Sequence, residues 1–169
     1  MKPDDGTIGV GTARYGHNAY LVEFDPRRGT QRIVLDTHRT CGLSATGYAA
    51  HAKLHARNAV GPSGRVYAGS KQGYPKDGDQ QSYPGGRAMV CDARTGRTEN
   101  LGMPFPGQGV IDVMPDEACD RLDMGYAHGD ACVRIPGYPI PILPPSGVLQ
   151  VAACESISTE AVARIGAAR

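Results

Sequence analysis

The sequence predicts an all-β chain built from repeated four-stranded antiparallel units, and three observations carry that prediction. The pattern Asp-x-Arg-x-Gly occurs twice, in FDPRRGT at 24–30 and CDARTGR at 91–97, each time joining two short strand-like runs. The segments GTIGVGT (6–12), GRVYAGS (64–70) and DRLDMGY (120–126) align without gaps, with Ile8, Val66 and Leu122 apolar and Gly11, Gly69 and Gly125 in register. Composition agrees: 23 Gly and 13 Pro against 2 Phe in 169 residues favour many short strands and tight turns over long helices.

Each Asp-x-Arg-x-Gly copy reads as the turn of a β-hairpin. An Asp side chain accepts a hydrogen bond from a backbone amide two residues on, and Gly closes the turn at positive φ. The three aligned segments start 58 and 56 residues apart. Units of that length holding about four strands are the sequence form of β-propeller blades. With strands lettered A to D from the axis outward, the first blade has strands B to D only, over 6–36. The second is complete over 50–103: HAKLHARNAV (51–60) is A, GRVYAGS is B, RAMVCDA is C and RTENLGM is D. The third, over 109–135, is partial, with A in GVIDVMP, B in RLDMGYA and C in ACVRI. The propeller segment therefore covers 1–135. Residues 136–169 form a Pro-rich linker and tail, with a candidate strand in SGVLQVAAC and a short helix in STEAVARIGAAR that Ser158 would cap.

HAKLHARNAVGPSGRVYAGSKQGYP followed by SYPGGRAMVCDARTGRTENLG resembles the repeat units of bacterial multi-bladed propellers of the quinoprotein-like and SMP-30-like type, over about residues 1–130. The resemblance implies architecture more than activity. Such propellers include sugar-lactone hydrolases, dehydrogenases, polysaccharide lyases and plain binding scaffolds. The chain lacks Trp, which departs from WD40 repeats, and Gly85-Gly86 stands without the Trp of a kelch unit. A closed propeller needs at least four blades, and about two and a half are present. The expectation is a fragment of a longer protein or a chain that self-associates, with a small, differently closed β fold as the third option, since unpartnered blade faces and open edges invite association.

Charge and cysteine usage narrow the partners. Eighteen Lys plus Arg against 17 Asp plus Glu leave a formal charge of +1 with no basic run, so no nucleic-acid partner is expected. No apolar run approaches the roughly 20 residues that span a bilayer, and MKPDDGTIGV has no signal-peptide pattern. The expectation is no membrane partner and a cytoplasmic chain as written, with a secreted or periplasmic parent protein left open. Five dispersed cysteines without a CxxC pair read as reduced and structural.

In a propeller the BC and DA connections share one end, and the long BC connection KQGYPKDGDQQSYPGG (71–86) marks that end as the ligand-facing one. His17, Tyr74 and His128 belong there. In strand A of the second blade, His51, Lys53, His55 and Arg57 alternate with Ala52, Leu54 and Ala56, which predicts a polar, cationic face. Such a strip suits a carboxylate, a phosphate or an acidic sugar, and His51 or His55 has the pKa of a general base. The bland alternative is a strip that lines a solvated channel or pairs with neighbouring Asp residues. No metal site is expected: Asp77, Asp79 and Gln81 lack the rest of a calcium loop, and His51 and His55 lie about 13 Å apart along a strand. Cys41 and His38 in THRTCG lack a third group for nucleophilic chemistry. The reading is a ligand-binding or scaffold module for acidic carbohydrate, relying on missing blades or self-association, with no cofactor identified. The alternative is part of a metal-dependent sugar-lactone hydrolase or uronate lyase, for which Asp112 is the one acid on an innermost strand.

Overall fold

The two Asp-x-Arg-x-Gly segments are hairpin turns of one geometry. Asp25 Oδ1 accepts from the amides of Arg27 at 2.9 Å and Arg28 at 3.2 Å, while the Gly29 amide donates to the Asp25 carbonyl at 2.9 Å. Asp92 Oδ1 accepts from Arg94 at 3.0 Å and Thr95 at 3.4 Å, and the Gly96 amide donates to the Asp92 carbonyl at 2.8 Å. Gly29 and Gly96 take φ of 64° and 72°, the left-handed conformation that a Cβ penalises.

A computed structural model describes residues 6–54, 56–73, 83–126 and 129–134. Among them, ten strands form three antiparallel sheets. The first sheet runs β1 (Ile8–Gly11), β2 (Tyr20–Asp25), β3 (Thr30–Asp36). The middle one runs β4 (Ala59–Val60), β5 (Val66–Gly69), β6 (Ala88–Asp92), β7 (Arg97–Gly102). The third runs β8 (Val110–Asp116), β9 (Arg121–Tyr126), β10 (Gly129–Arg134). The aligned segments thus supply β1, β5 and β9, each paired antiparallel with the strand that follows it. Among the described residues no helix is long and apolar enough to cross a membrane. The candidate strand and helix expected in 136–169 lie outside the described residues.

The middle sheet is sandwiched because its side chains alternate between two cores. Val66, Ala68, Met89 and Cys91 pack against Leu21, Val34 and Leu35 of the first sheet. Tyr67, Ala88, Val90 and Leu101 pack against Val110, Val113, Leu122 and Met124 of the third. The in-register glycines set the spacing between sheets. A Cβ on Gly11 would come within 2.5 Å of the Leu54 carbonyl oxygen, and one on Gly69 within 2.7 Å of Val110 Cβ. In each case the glycine receives the inner segment of the next sheet, and no other residue leaves room for it. A polar bolt joins the middle and third sheets at the turn end. Glu117, in a single 3₁₀ turn after β8, accepts from the Ser63 amide at 2.7 Å, Ser63 Oγ at 2.6 Å and Tyr67 Oη at 2.7 Å.

The innermost strand of the middle sheet corrects an expectation. HAKLHARNAV does not run as one strand with alternating faces: regular pairing is confined to β4, preceded by isolated bridges at Lys53 and Arg57. The cause is that the segment serves two sheets. Ala52 O accepts from the Arg14 amide and Thr12 O from the Leu54 amide on one side, while Lys53 and Lys71 exchange both backbone bonds on the other. Alternation is lost, and His51 is buried with Ala52, Leu54 and Ala56, while Arg57 is exposed. The connection after β3 also holds an unforeseen helix, α1 (Thr37–Cys41). Asp36 caps it by accepting from the His38 and Arg39 amides, and Gly42 ends it at φ 64°.

Candidate functional site

The connection end of the sheets, opposite the Asp25 and Asp92 turns, carries a buried polar cluster built on a repeated hydroxyl. Thr12 and Ser70 each follow the glycine of the aligned segment, and each hydroxyl accepts an amide at the entry to the next strand: Tyr20 N, the first of β2, at 2.8 Å and Arg87 N, just before β6, at 2.9 Å. Ser70 does more than Thr12. Its Oγ lies 2.6 Å from His51 Nδ1, and 3.3 Å from the Arg87 carbonyl.

His51 is 0% exposed, held by its own carbonyl, which accepts from the Ala19 amide at 2.9 Å. Burial first, and then the Arg87 charge, push its pKa down to about 4, so the imidazole is neutral at neutral pH. With the ring proton on Nε2 the Ser70 hydroxyl donates to Nδ1; with it on Nδ1 the ring donates to Ser70, whose own hydrogen goes to the Arg87 carbonyl. That Nε2 and the buried Arg87 Nε have no hydrogen-bond partner among the described residues, nor has Gln72 Oε1. Three buried polar atoms without partners in a single cluster are costly unless something else satisfies them.

The surroundings are aromatic and cationic. Tyr83 stands with its ring centroid 6.1 Å from that of His51, and its hydroxyl accepts from the Gln72 amide at 3.3 Å. Burial pushes the Tyr83 hydroxyl up to about 12, which keeps it a neutral hydrogen-bonding group. Gln72 Nε2 donates to the Tyr48 carbonyl. Lys53 and Lys71 are backbone partners across an antiparallel bridge, which puts two cationic residues at this end. Lys53 Nζ donates to Tyr15 Oη at 2.8 Å and lies 4.4 Å from the centroid of that ring.

Of the residues singled out from sequence, His51 and Lys53 belong to this end. His17 is there too, half-buried and bridged to Thr46. His55, Tyr74 and His128 lie outside the described residues. Ser70, Gln72 and Arg87 were missed; the signal for Ser70 was its alignment with Thr12, both hydroxyl residues behind the shared glycine. Asp112 stands 4.0 Å from Arg57 in an exposed ion pair. His38 Nδ1 donates to the Leu43 carbonyl, and burial, opposed by the Arg87 charge, pushes the Cys41 thiol up to about 11; neither suits a nucleophile pair. Among the described residues no three His, Cys, Asp or Glu side chains converge as a metal set would. At the turn end a groove of about 490 Å³ is lined by Thr7, Glu23, Asp25, Arg28 and Arg32 among others, but its charges are already paired, Arg28 with Asp25 and Arg32 with Glu23.

Comparison with protein-family models, with curated proteins and with solved structures finds no match to this chain.

Proposed function

We propose that the chain is a segment of a β-propeller that acts as a binding or scaffold module, with its ligand site at the connection end and an acidic carbohydrate as the ligand class. The layered sheets support the propeller part. Successive sheets meet through equivalent faces, and the innermost segments run parallel where Arg57 bridges Asp112, as they do around a propeller axis. The observation that carries the ligand part is the pair of buried, unpartnered nitrogens, His51 Nε2 and Arg87 Nε, near Lys53 and Lys71. A carboxylate accepts from several donors at once and gains charge assistance from a guanidinium, while sugar rings stack on tyrosine faces such as Tyr83 and Tyr15.

The test is calorimetric titration with glucuronate and galacturonate against glucose and galactose. Uronates bind, neutral sugars do not, and affinity falls as salt rises. Arg87→Leu and Lys53→Ala each weaken uronate binding, Arg87→Leu by on the order of tenfold as a lost charge-assisted hydrogen bond. Arg94→Ala, in the turn at the far end, leaves affinity unchanged. Equal losses from Arg94→Ala and Arg87→Leu, or no uronate binding, would overturn the site.

A further inference from the structure

Among the described residues, the first sheet has one face against the middle sheet and nothing packed on the other. On the bare face Ile8 is 37%, Val10 50% and Ile33 59% exposed. The strand register lines these residues up: Val10 pairs with Val22 and Val22 with Ile33, while Ile8 pairs with Phe24. Five apolar side chains therefore share one side of a three-stranded sheet whose first strand is an edge. An uncovered apolar patch of this kind marks an interaction surface.

The repeat says what covers it. Ile8 and Val10 align with Val66 and Ala68, and counting from the shared Asp of the hairpin turns, Val22 and Phe24 align with Met89 and Cys91. The pairing is the same in both sheets, Ala68 with Met89 and Val66 with Cys91. Those four residues of the middle sheet are the ones that pack against the preceding sheet. Leu122 and Met124, aligned with Val66 and Ala68, likewise bury against the sheet before theirs. The bare face is thus a repeat of two faces that are covered, both times by a sheet of this same kind.

The complementary surface is on the chain as well. The outward face of the third sheet carries Met114, 52% exposed and paired across the strands with Asp123, and Gly125 keeps the register of the glycines that receive the next sheet. We infer that a second copy of this chain docks the outward face of its third sheet on the bare face of the first, continuing the stack head to tail. Such a contact is heterologous, so it closes a ring or extends a filament according to the rotation between copies. It rests on the sheet stack alone and is independent of any ligand.

The experiment is light scattering on the purified chain across a concentration series, with Val10→Asp and Met114→Asp. Both positions are exposed, so the variants keep the native circular dichroism; Ile33→Glu replaces Val10→Asp if that variant loses it. The wild type associates with concentration, and each variant alone is monomeric. An equimolar mixture of the two forms one heterodimer, because a single intact junction survives between them. A wild type that stays monomeric overturns the proposal. So does a mixture that stays monomeric. A Met114→Asp variant that associates like the wild type shows the bare faces pairing with each other and overturns the head-to-tail contact.

Discussion

Replacing Gly69 by Ala adds one methyl group where the third sheet closes on the middle one. The new Cβ would lie 2.7 Å from Val110 Cβ and 3.0 Å from Ala56 Cβ, both inside ordinary contact distance, and Val110 is fully buried among Tyr67, Leu122 and Met124. Neither neighbour is the end of a flexible side chain, so the sheets must part. Overpacking of this kind costs about 1–3 kcal/mol. The substitution also stiffens the unfolded chain, which returns about 0.4–1 kcal/mol, because φ at Gly69 is not in the left-handed region. The net loss is about 1–2 kcal/mol, or roughly 2–8 °C in Tm for a chain of this size. Thermal and urea unfolding of Gly69→Ala, Val110→Ala and the double variant measure it. Val110→Ala removes Cγ1, the Val110 atom nearest the new methyl, and leaves Cβ in place, so the double variant recovers part of the loss and the cycle shows coupling on the order of 1 kcal/mol. A Gly69→Ala protein as stable as the wild type, or losses that simply add, would refute the close-approach reasoning.

The Glu117 carboxyl is held below the usual range: burial raises its pKa, but hydrogen bonds from Ser63 and Tyr67 outweigh that. The stability it confers is complete above the unfolded value of 4.5 and lost as pH falls below it, and Glu117→Gln removes that part of the acid limb in urea titrations. His51, with a folded pKa of about 4 against 6.5 unfolded, costs stability on the order of 3 kcal/mol as pH falls from 6.5 towards 4, since the unfolded chain takes up the proton first. His51→Asn flattens the unfolding profile in that window. Cys91 is buried, its thiol pushed up to about 11 by burial and then by Asp92 and Glu23, so native-state alkylation read by mass spectrometry leaves it unmodified while exposed Cys119 reacts.

The hairpins and the sheet order were legible because they are set locally. Asp25 and Asp92 fix their turns within five residues, and the apolar and Gly positions of the aligned segments carry the period that places β1, β5 and β9. The inner segment was not legible, because His51 to Leu54 take backbone partners from two sheets far apart in sequence, and no alternation rule covers a segment shared in that way. The burial of His51 follows from the same cause. Helix α1 was overlooked although Asp36 and Gly42 are ordinary capping residues, since five residues between caps leave little helical period to read. The polar cluster depends on Arg87 meeting Ser70, 17 positions earlier in the chain, a contact made only when β5 and β6 pair.

The repeat-by-repeat stacking of sheets is tested most directly by nuclear Overhauser contacts at the two glycines. The account predicts contacts between the Gly11 α-protons and the side chain of Leu54, and between the Gly69 α-protons and the methyl groups of Val110, two equivalent junctions in one molecule. A Gly69 that shows no contact to Val110, or a Gly11 that lacks Leu54, would contradict it.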